Sequence, residues 1–285
     1  MNLSLRQGQP SDANACGIIC YEAFKNIAGQ HNFPEDFPNA EAAIGLMNYL
    51  LSASNIYSVI AGADGQIAGS NFLWQQDFIG GVGPITVNPS LQNASTGKRL
   101  MEQVLQHAAE QKLAGVRLVQ AAYHNRSFAL YSKLGFDVQE PLATIQGSPL
   151  GISFSGYHVR AANEGDLDAC NDLCCQVHGI RRHHELVAAL TTGTAAVVEY
   201  DGKITGYTTQ VGFFGHTVAA TNMELKALIG AAAAFAGPGF LLPSRNAEVL
   251  RWCLNNGLKV IQPMNLMSKG LYNQPAGAFL PSVLY

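Results

Sequence analysis

The chain is poor in charge. Only 13% of its 285 residues are Asp, Glu, Lys or Arg, and the formal net charge is −3. That composition excludes a disordered, highly solvated protein. Lysine and arginine nowhere form a run, so nucleic acid is not expected as a partner, because phosphate neutralisation needs concentrated positive charge. Long hydrophobic runs are missing too. The longest, around Leu228 to Phe235, is alanine-rich and well short of the ~20 residues that span a bilayer. At the start, Leu3, Leu5 and Arg6 stand among polar residues, with no basic region leading into an apolar stretch. A cytoplasmic protein without a membrane partner is therefore expected.

Cysteine is scarce as well: Cys16, Cys20, Cys170, Cys174, Cys175 and Cys253 are the six. Cys16 and Cys20, like Cys170 and Cys174, lie four apart on expected helices, which puts each pair on one face as small hydrophobes. Zinc could recruit Cys170, Cys174 and His178, but their separations do not resemble finger or ribbon spacings. Core packing, and no metal, is the expectation.

What the sequence does have is apolar content, 48% of it, and enough length for two cores. An internal repeat organises it. Arg6, Asp12, Ala15 and Cys16 recur in order and without a gap as Arg160, Asp166, Ala169 and Cys170, and Cys20 then matches Cys174. Each segment reads as a strand, a turn and an aspartate near a helix start. Asp64-Gly65 and Asp201-Gly202 both sit between β-prone runs, as hairpin turns do. Leu134-Gly135-Phe136 recurs as Asn256-Gly257-Leu258. Three matches in one order mean one fold twice, with domains at residues 1–148 and 156–285 and a boundary in the Gly/Ser/Pro stretch between them.

Within the first copy, helices are expected over residues 13–28, 40–51, 96–111 and 127–134. Strands are expected over 56–61, 67–75, 81–87 and 116–122, with another from 136. Antiparallel hairpin and βαβ-like units together predict an α/β fold, a mixed sheet flanked by helices.

Two segments could carry chemistry. In the first, a β-rich run through Ile85, Thr86 and Val87 stops at Asn88-Pro89. A polar loop with Gln92, Asn93, Ala94, Ser95, Thr96 and Gly97 then leads into an amphipathic helix. Such a loop aims backbone N–H groups at one spot by the positive end of a helix, which suits pyrophosphate, and Lys98 and Arg99 add charge. An ordinary capped strand-to-helix turn has the same pattern. The second segment holds Tyr123, His124, Asn125, Ser127, Tyr131, Gly135 and Phe136.

Together the two segments resemble the GNAT family of N-acetyltransferases. That family carries a Gln/Arg-x-x-Gly-x-Gly/Ala loop and, later, an Asn-x-x-(small)-x-x-x-Tyr-x-x-x-Gly-Phe helix. Gln92 and Gly97 match the loop, with Ser95 where its first glycine is expected. Tyr131, Gly135 and Phe136 match the helix, with His124 at its asparagine position and Asn125 next along. The resemblance implies two tandem GNAT-like domains, with acetyl-CoA held at Ile85–Val87, residues 92–98, His124, Asn125 and Ser127. It also implies that the strand ending at Val87 splays from its neighbour. The N–H near Val87 would then polarise the acyl carbonyl. Tyr131 would protonate the leaving thiolate, as a phenol of pKa ~10 can.

Candidates for a general base are Glu22, His31, Glu35, Asp36 and Asp77, each of which also fits a surface or helix-capping role, and the first four are the residues expected at the acceptor site. Phe33 and Phe37 alternate with carboxylates in the His31–Pro38 loop, an arrangement suited to a cationic amine or simply to packing. The second copy reads as degenerate. Residues 214–225 replace the phosphate loop without its glycines, Leu241-Leu242-Pro243 replaces the strand end, and Cys253 replaces Tyr131. Its Gly/Pro-rich tail from Gly270 to Phe279 could reach across an interface or pack plainly. The function implied is acetyl transfer from acetyl-CoA to a primary amine of a small molecule by direct attack. A non-catalytic CoA-binding or sensor module is the alternative, a protein-modifying acyltransferase a third reading, and a homodimer is left open.

Overall fold

A computed structural model describes residues 3–91 and 95–284. In chain order the first copy runs β1 (Leu3–Gln7), α1 (Ala13–Gln30), α2 (Ala40–Ser52), β2 (Ile56–Ala63), β3 (Gln66–Trp74), β4 (Ile79–Val82), β5 (Thr86–Val87), α3 (Thr96–Glu110), β6 (Gly115–Ala121), α4 (Asn125–Lys133) and β7 (Asp137–Gln146). The second runs β8 (Tyr157–Ala161), α5 (Leu167–His178), α6 (His183–Thr192), β9 (Ala196–Tyr200), β10 (Lys203–Thr208), β11 (Thr217–Ala219), α7 (Asn222–Ala231), β12 (Phe240–Pro243), α8 (Ala247–Asn255), β13 (Lys259–Gly270) and β14 (Ala278–Leu280). The expected elements are present, and the fold is the mixed α/β arrangement anticipated. The run expected as one strand over 81–87 is two, β4 and β5.

The chain packs as two compact units that do not follow the copies in order. Unit 1 takes residues up to Leu118, Tyr123–Asp137 and Ser268–Leu271; unit 2 takes Val119–Ala122, Val138–Met267 and the rest from Tyr272. Nearly all of β7 thus belongs to unit 2, where it pairs antiparallel with β12, while the end of β13 belongs to unit 1. The sequence repeats meet in the stretch 147–155, but the compact units do not divide there: β7 lies almost wholly in unit 2, and of β13 only Ser268–Gly270 lies in unit 1.

In unit 1, β1-β2-β3-β4 are antiparallel neighbours and β4 pairs with β6 in parallel. The helices α1 and α2 bury Cys16, Cys20, Met47 and Leu50 with Ile60 and Phe72 of β2 and β3. Their close crossing needs Gly17, where a Cβ would lie 2.5 Å from Ile44 Cα. In unit 2, the antiparallel order is β8-β9-β10-β11-β14. One core gathers Cys170, Cys174, Leu186, Val197 and Tyr207. Another gathers Ile145, Leu225, Phe240, Leu242, Val249 and Cys253. The buried cysteines are packing residues, and burial pushes the Cys16 thiol up to about 11 and Cys170 to about 12.

The repeated Arg and Asp form the same clamp twice. Arg6 donates two bonds of 2.7 Å to Asp12, and Arg160 donates bonds of 2.7 and 2.8 Å to Asp166. Each aspartate also accepts a backbone N–H three residues back, Gln9 or Asn163, at 2.8 Å, so it ties the entering strand to the helix start. A second repeated detail is a register shift in the hairpin, at Ala61/Gly62 between β2 and β3 and at Ile204/Gly206 between β9 and β10.

These clamps predict an acid sensitivity. Guanidinium hydrogen bonds hold both carboxyls below the ordinary aspartate range, against the opposing effect of burial. A carboxyl lowered on folding stabilises fully above its unfolded pKa of ~3.9, and that stability disappears as pH falls through the lower folded value. Replacing both by asparagine should cost roughly 0.5–1 kcal/mol per clamp at pH 7 and flatten the fall of the thermal midpoint below pH 4. An equally steep acid fall in the double variant would contradict this.

Candidate active site

The candidate site is built in unit 1 from the phase of one hydrogen-bond ladder. β3 pairs Leu73 with Val82 and Trp74 with Gly81, then Gly69 with Val87 and Ser70 with Thr86. Between Val82 and Thr86 the second strand has gained one residue on β3, a bulge across Gly83–Ile85. Asn88 N–H donates to Ala68 O at 2.9 Å. N–H groups alternate in direction along an antiparallel strand, so Thr86 faces β3 while the Val87 N–H and C=O point to the opposite edge. No strand covers that edge among the described residues. The parallel pairing of β4 with β6 ends at Gly81 and Arg117. Gly69 is required at the close pair: a Cβ on it would stand 2.4 Å from Thr86 O and 3.2 Å from Val87 Cα.

Helix α3 begins beside this edge. A Cβ at Gly97 would touch Val87 Cγ2 at 3.7 Å and Leu130 Cδ2 at 3.6 Å, so β5, the start of α3 and the flank of α4 converge. Gln92, Asn93 and Ala94 lie outside the described residues. Ser95 adopts φ +60°, the left-handed conformation that explains a glycine preference at this place. It caps none of the helix N–H groups with its side chain, and the buried Thr96 Oγ1 has no hydrogen-bond partner among the described residues. An uncapped helix start with an orphaned buried hydroxyl fits an anion. The two basic neighbours are engaged elsewhere: Lys98 pairs with Glu102 at 3.5 Å, and Arg99 donates to Leu3 O at 2.7 Å.

Tyr131 is buried on α4, its ring centroid 6.2 Å from that of Phe136. Burial raises its pKa well above the ordinary phenol value, so the hydroxyl keeps its proton across the neutral range. The half-buried His124 is the N-cap residue of α4, Asn125 begins the helix exposed, and Ser127 Oγ donates to His124 O at 3.0 Å. Burial first, then the positive fields of Arg126 and His31, lowers the His124 pKa and keeps its ring neutral.

Of the acceptor candidates, some converge and some do not. Phe33 stacks on Tyr123 with centroids 4.2 Å apart, and the His31 ring lies 5.2 Å from Tyr123. Burial, with the field of Asp36 behind it, pushes Tyr123 up to about 12. His31, Phe33, Asp36 and His124 therefore share the surroundings of Tyr123, a residue to which the sequence motifs assign no role. Its one signal was an aromatic directly after a strand. Glu35 is held away by Lys25 at 3.4 Å and Tyr21 at 3.3 Å. Glu22 is exposed on α1, and Asp77 lies on the turn between β3 and β4.

The second copy repeats the frame and closes it. Gly206 pairs with Ala219 and Ala220 N–H donates to Thr205 O at 2.9 Å, the same ladder phase, so Ala219 stands where Val87 does. Its outer edge, however, is paired with β14, Ala219 to Ala278 and Thr217 to Leu280. Gly277 allows the approach, since a Cβ there would be 2.5 Å from Ala219 O. The start of α7 is also closed: Thr221 Oγ1 accepts from Met223 N–H at 3.1 Å and Glu224 accepts from Thr221 N–H at 3.0 Å. A carboxylate of the chain itself occupies the helix start. One expectation needs correcting: β12, with Pro243, pairs with β7 and leads into α8, so it is the counterpart of β6 and not of the strand ending at Val87. Cys253, fully buried, does stand at the Tyr131 position, seven residues past the N-cap of α8 as Tyr131 is past that of α4.

Residues 22–136 match the family model of the acetyltransferase (GNAT) family. Among solved structures, the chain is similar to a candidate acetyltransferase from Pyrococcus horikoshii, at 15% identity and TM-score 0.73, covering 97% of this chain and 94% of that one. It is also similar to a GCN5-related N-acetyltransferase from Sphaerobacter thermophilus, at 15% identity and TM-score 0.62, covering 95% and 96%. A third is a tandem GNAT protein from the clavulanic acid biosynthesis pathway, at 12% identity and TM-score 0.55, covering 94% and 98%. At these identities the likeness is one of fold, and it extends over both copies. No curated protein matches the sequence. Among the described residues, no helix is long and apolar enough to cross a membrane and no cluster of metal-binding side chains occurs.

The ladder makes a testable demand on two glycines. Gly69→Ala forces a carbon against backbone and should cost roughly 1–3 kcal/mol in urea unfolding. Gly206→Ala meets side chains and no backbone, Val198 at 2.7 Å, Glu224 at 3.2 Å and Leu228 at 3.3 Å, and should cost less. Equal midpoints for the two variants would contradict the close pairing.

Proposed function

We propose that the first copy, residues 1–148, uses acetyl-CoA to acetylate a primary amine of a small molecule, a reading supported by the match of residues 22–136 to the acetyltransferase (GNAT) family model. The second copy, residues 156–285, keeps the fold without a CoA site. The observation that carries this reading is the pair of unmet polar features side by side: the outward Val87 edge and the uncapped start of α3 with its orphaned Thr96 hydroxyl.

Acetyl-CoA supplies an activated acyl group and a thiolate leaving group. Toward it, the Val87 backbone would hold the pantetheine arm, and its N–H would stabilise the oxyanion that forms as an amine attacks. Residues 92–98 would receive the pyrophosphate, with Ile85, Thr86, His124, Asn125 and Ser127 along the arm. Tyr131 would donate its proton to the departing sulfur. The burial that raises this phenol also raises a thiolate formed beside it, so the transfer is not left uphill by the full shift of the phenol alone. On the acceptor side, His31 and Asp36 lie with Phe33 and Tyr123 in surroundings fit for a cationic amine, while Glu22 and Glu35 are peripheral. A CoA sensor without turnover is the second reading, favoured by the left-handed Ser95 in the phosphate loop.

Incubation with acetyl-CoA and a panel of primary amines should release free thiol, and Tyr131→Phe should slow that release on the order of a hundredfold while leaving CoA affinity unchanged. Thiol release unaffected by the substitution would remove Tyr131 as the acid. CoA binding without turnover on any amine would favour the sensor.

A further inference from the structure

We propose that Lys269, which comes from the end of the second copy, is a positioning residue for Tyr131 in the first copy's catalytic unit. The proposal rests on the reading of Tyr131 as proton donor. Unit 1 includes Ser268–Leu271, and within it Lys269 Nζ donates a 2.7 Å hydrogen bond to Leu134 O. Leu134 is the C-cap residue of α4, three residues beyond Tyr131. The lysine chain also crosses Gly135, at φ +88°, where a Cβ would lie 3.4 to 3.8 Å from its Nζ, Cε and Cδ. An ammonium at this end meets both an orphan carbonyl and the negative end of the helix dipole. At nine residues α4 is too short to hold itself rigid, so an anchor on its last turn bears directly on where the phenol points.

The lysine is seated by backbone as well as by its own bond. Leu271 N–H donates to Ala114 O at 3.0 Å, just before β6. Two glycines make room: a Cβ at Gly115 would be 2.8 Å from Leu271 N, and one at Gly270 would be 2.7 Å from Ala114 O. The repeat supplies an internal control. Pro141 O accepts from Ser244 N–H and Pro263 O accepts from Ala122 N–H, which makes the two prolines equivalent positions of the repeat and Gly147 the counterpart of Lys269. The last strand of the first copy thus has no side chain at this position. The lysine occurs where the helix end it meets follows Tyr131, and it is missing from the strand whose counterpart helix carries Cys253.

The test uses the full chain with Lys269→Met, which keeps the aliphatic stem, and Lys269→Arg, which restores a donor. In Lys269→Met, amides of α4 from Leu130 to Phe136 should exchange roughly fivefold faster, with α1 and α2 unchanged. In the acetyl-CoA assay, kcat for thiol release should fall while KM for acetyl-CoA stays constant, and arginine should restore both readouts. Unchanged α4 exchange, or faster exchange spread over the whole unit, would overturn the proposal, as would turnover in Lys269→Met equal to wild type. Absence of thiol release from the wild type would sink the proton-donor reading and this proposal with it. The exchange data separate that outcome from failure of the anchor itself.

Discussion

The direction of the Val87 N–H follows from where β3 and β5 change register. With one extra residue between Val82 and Thr86, Asn88 and Thr86 turn toward β3 and Val87 turns away. Without that residue the alternation would reverse, and the same N–H would be consumed inside the sheet. The close pair this creates admits only glycine at position 69. Everything proposed for the cleft, from the arm of the cofactor to the acyl oxygen, depends on that parity.

A binding site in this fold is a place where backbone polar groups have been left for a ligand to satisfy. The two copies make the contrast within one molecule. In the first, the outer edge of β5 and the start of α3 have no protein partners among the described residues. In the second, β14 pairs with the matching edge, and Thr221 and Glu224 cap the matching helix. The second copy is thus internally satisfied where the first is open. The chain has supplied a strand where an extended ligand would run and a carboxylate where a phosphate would sit.

Much of the frame was legible in the sequence because it depends on local chemistry. Arg6 with Asp12 and Arg160 with Asp166 revealed the repeat, and they do so because the same clamp is needed wherever this strand enters this helix. Gly135 and Gly257, at φ +88° and +86°, mark helix ends that require a left-handed residue. The division into compact units could not be read. β7 and β13 follow the same Gly-x-x-Val pattern and each keeps its proline, so nothing local says which unit a strand will complete. The role of the tail was hidden for a similar reason: β14 is three residues long and acquires meaning only from the edge it covers. Pro243 was misplaced because a short apolar run ending in proline fits either of two strands until pairing decides. Tyr123 was given no role of its own, since its partners, Phe33 and His31, are some ninety residues away in sequence.

The central claim, one open site and one closed by the chain itself, is tested most directly by calorimetric titration of CoA into the full-length protein. A single equivalent should bind per chain. Two equivalents would mean that β14 and Glu224 do not close the second copy, and no binding would mean that the open edge at Val87 and the start of α3 are not a CoA site.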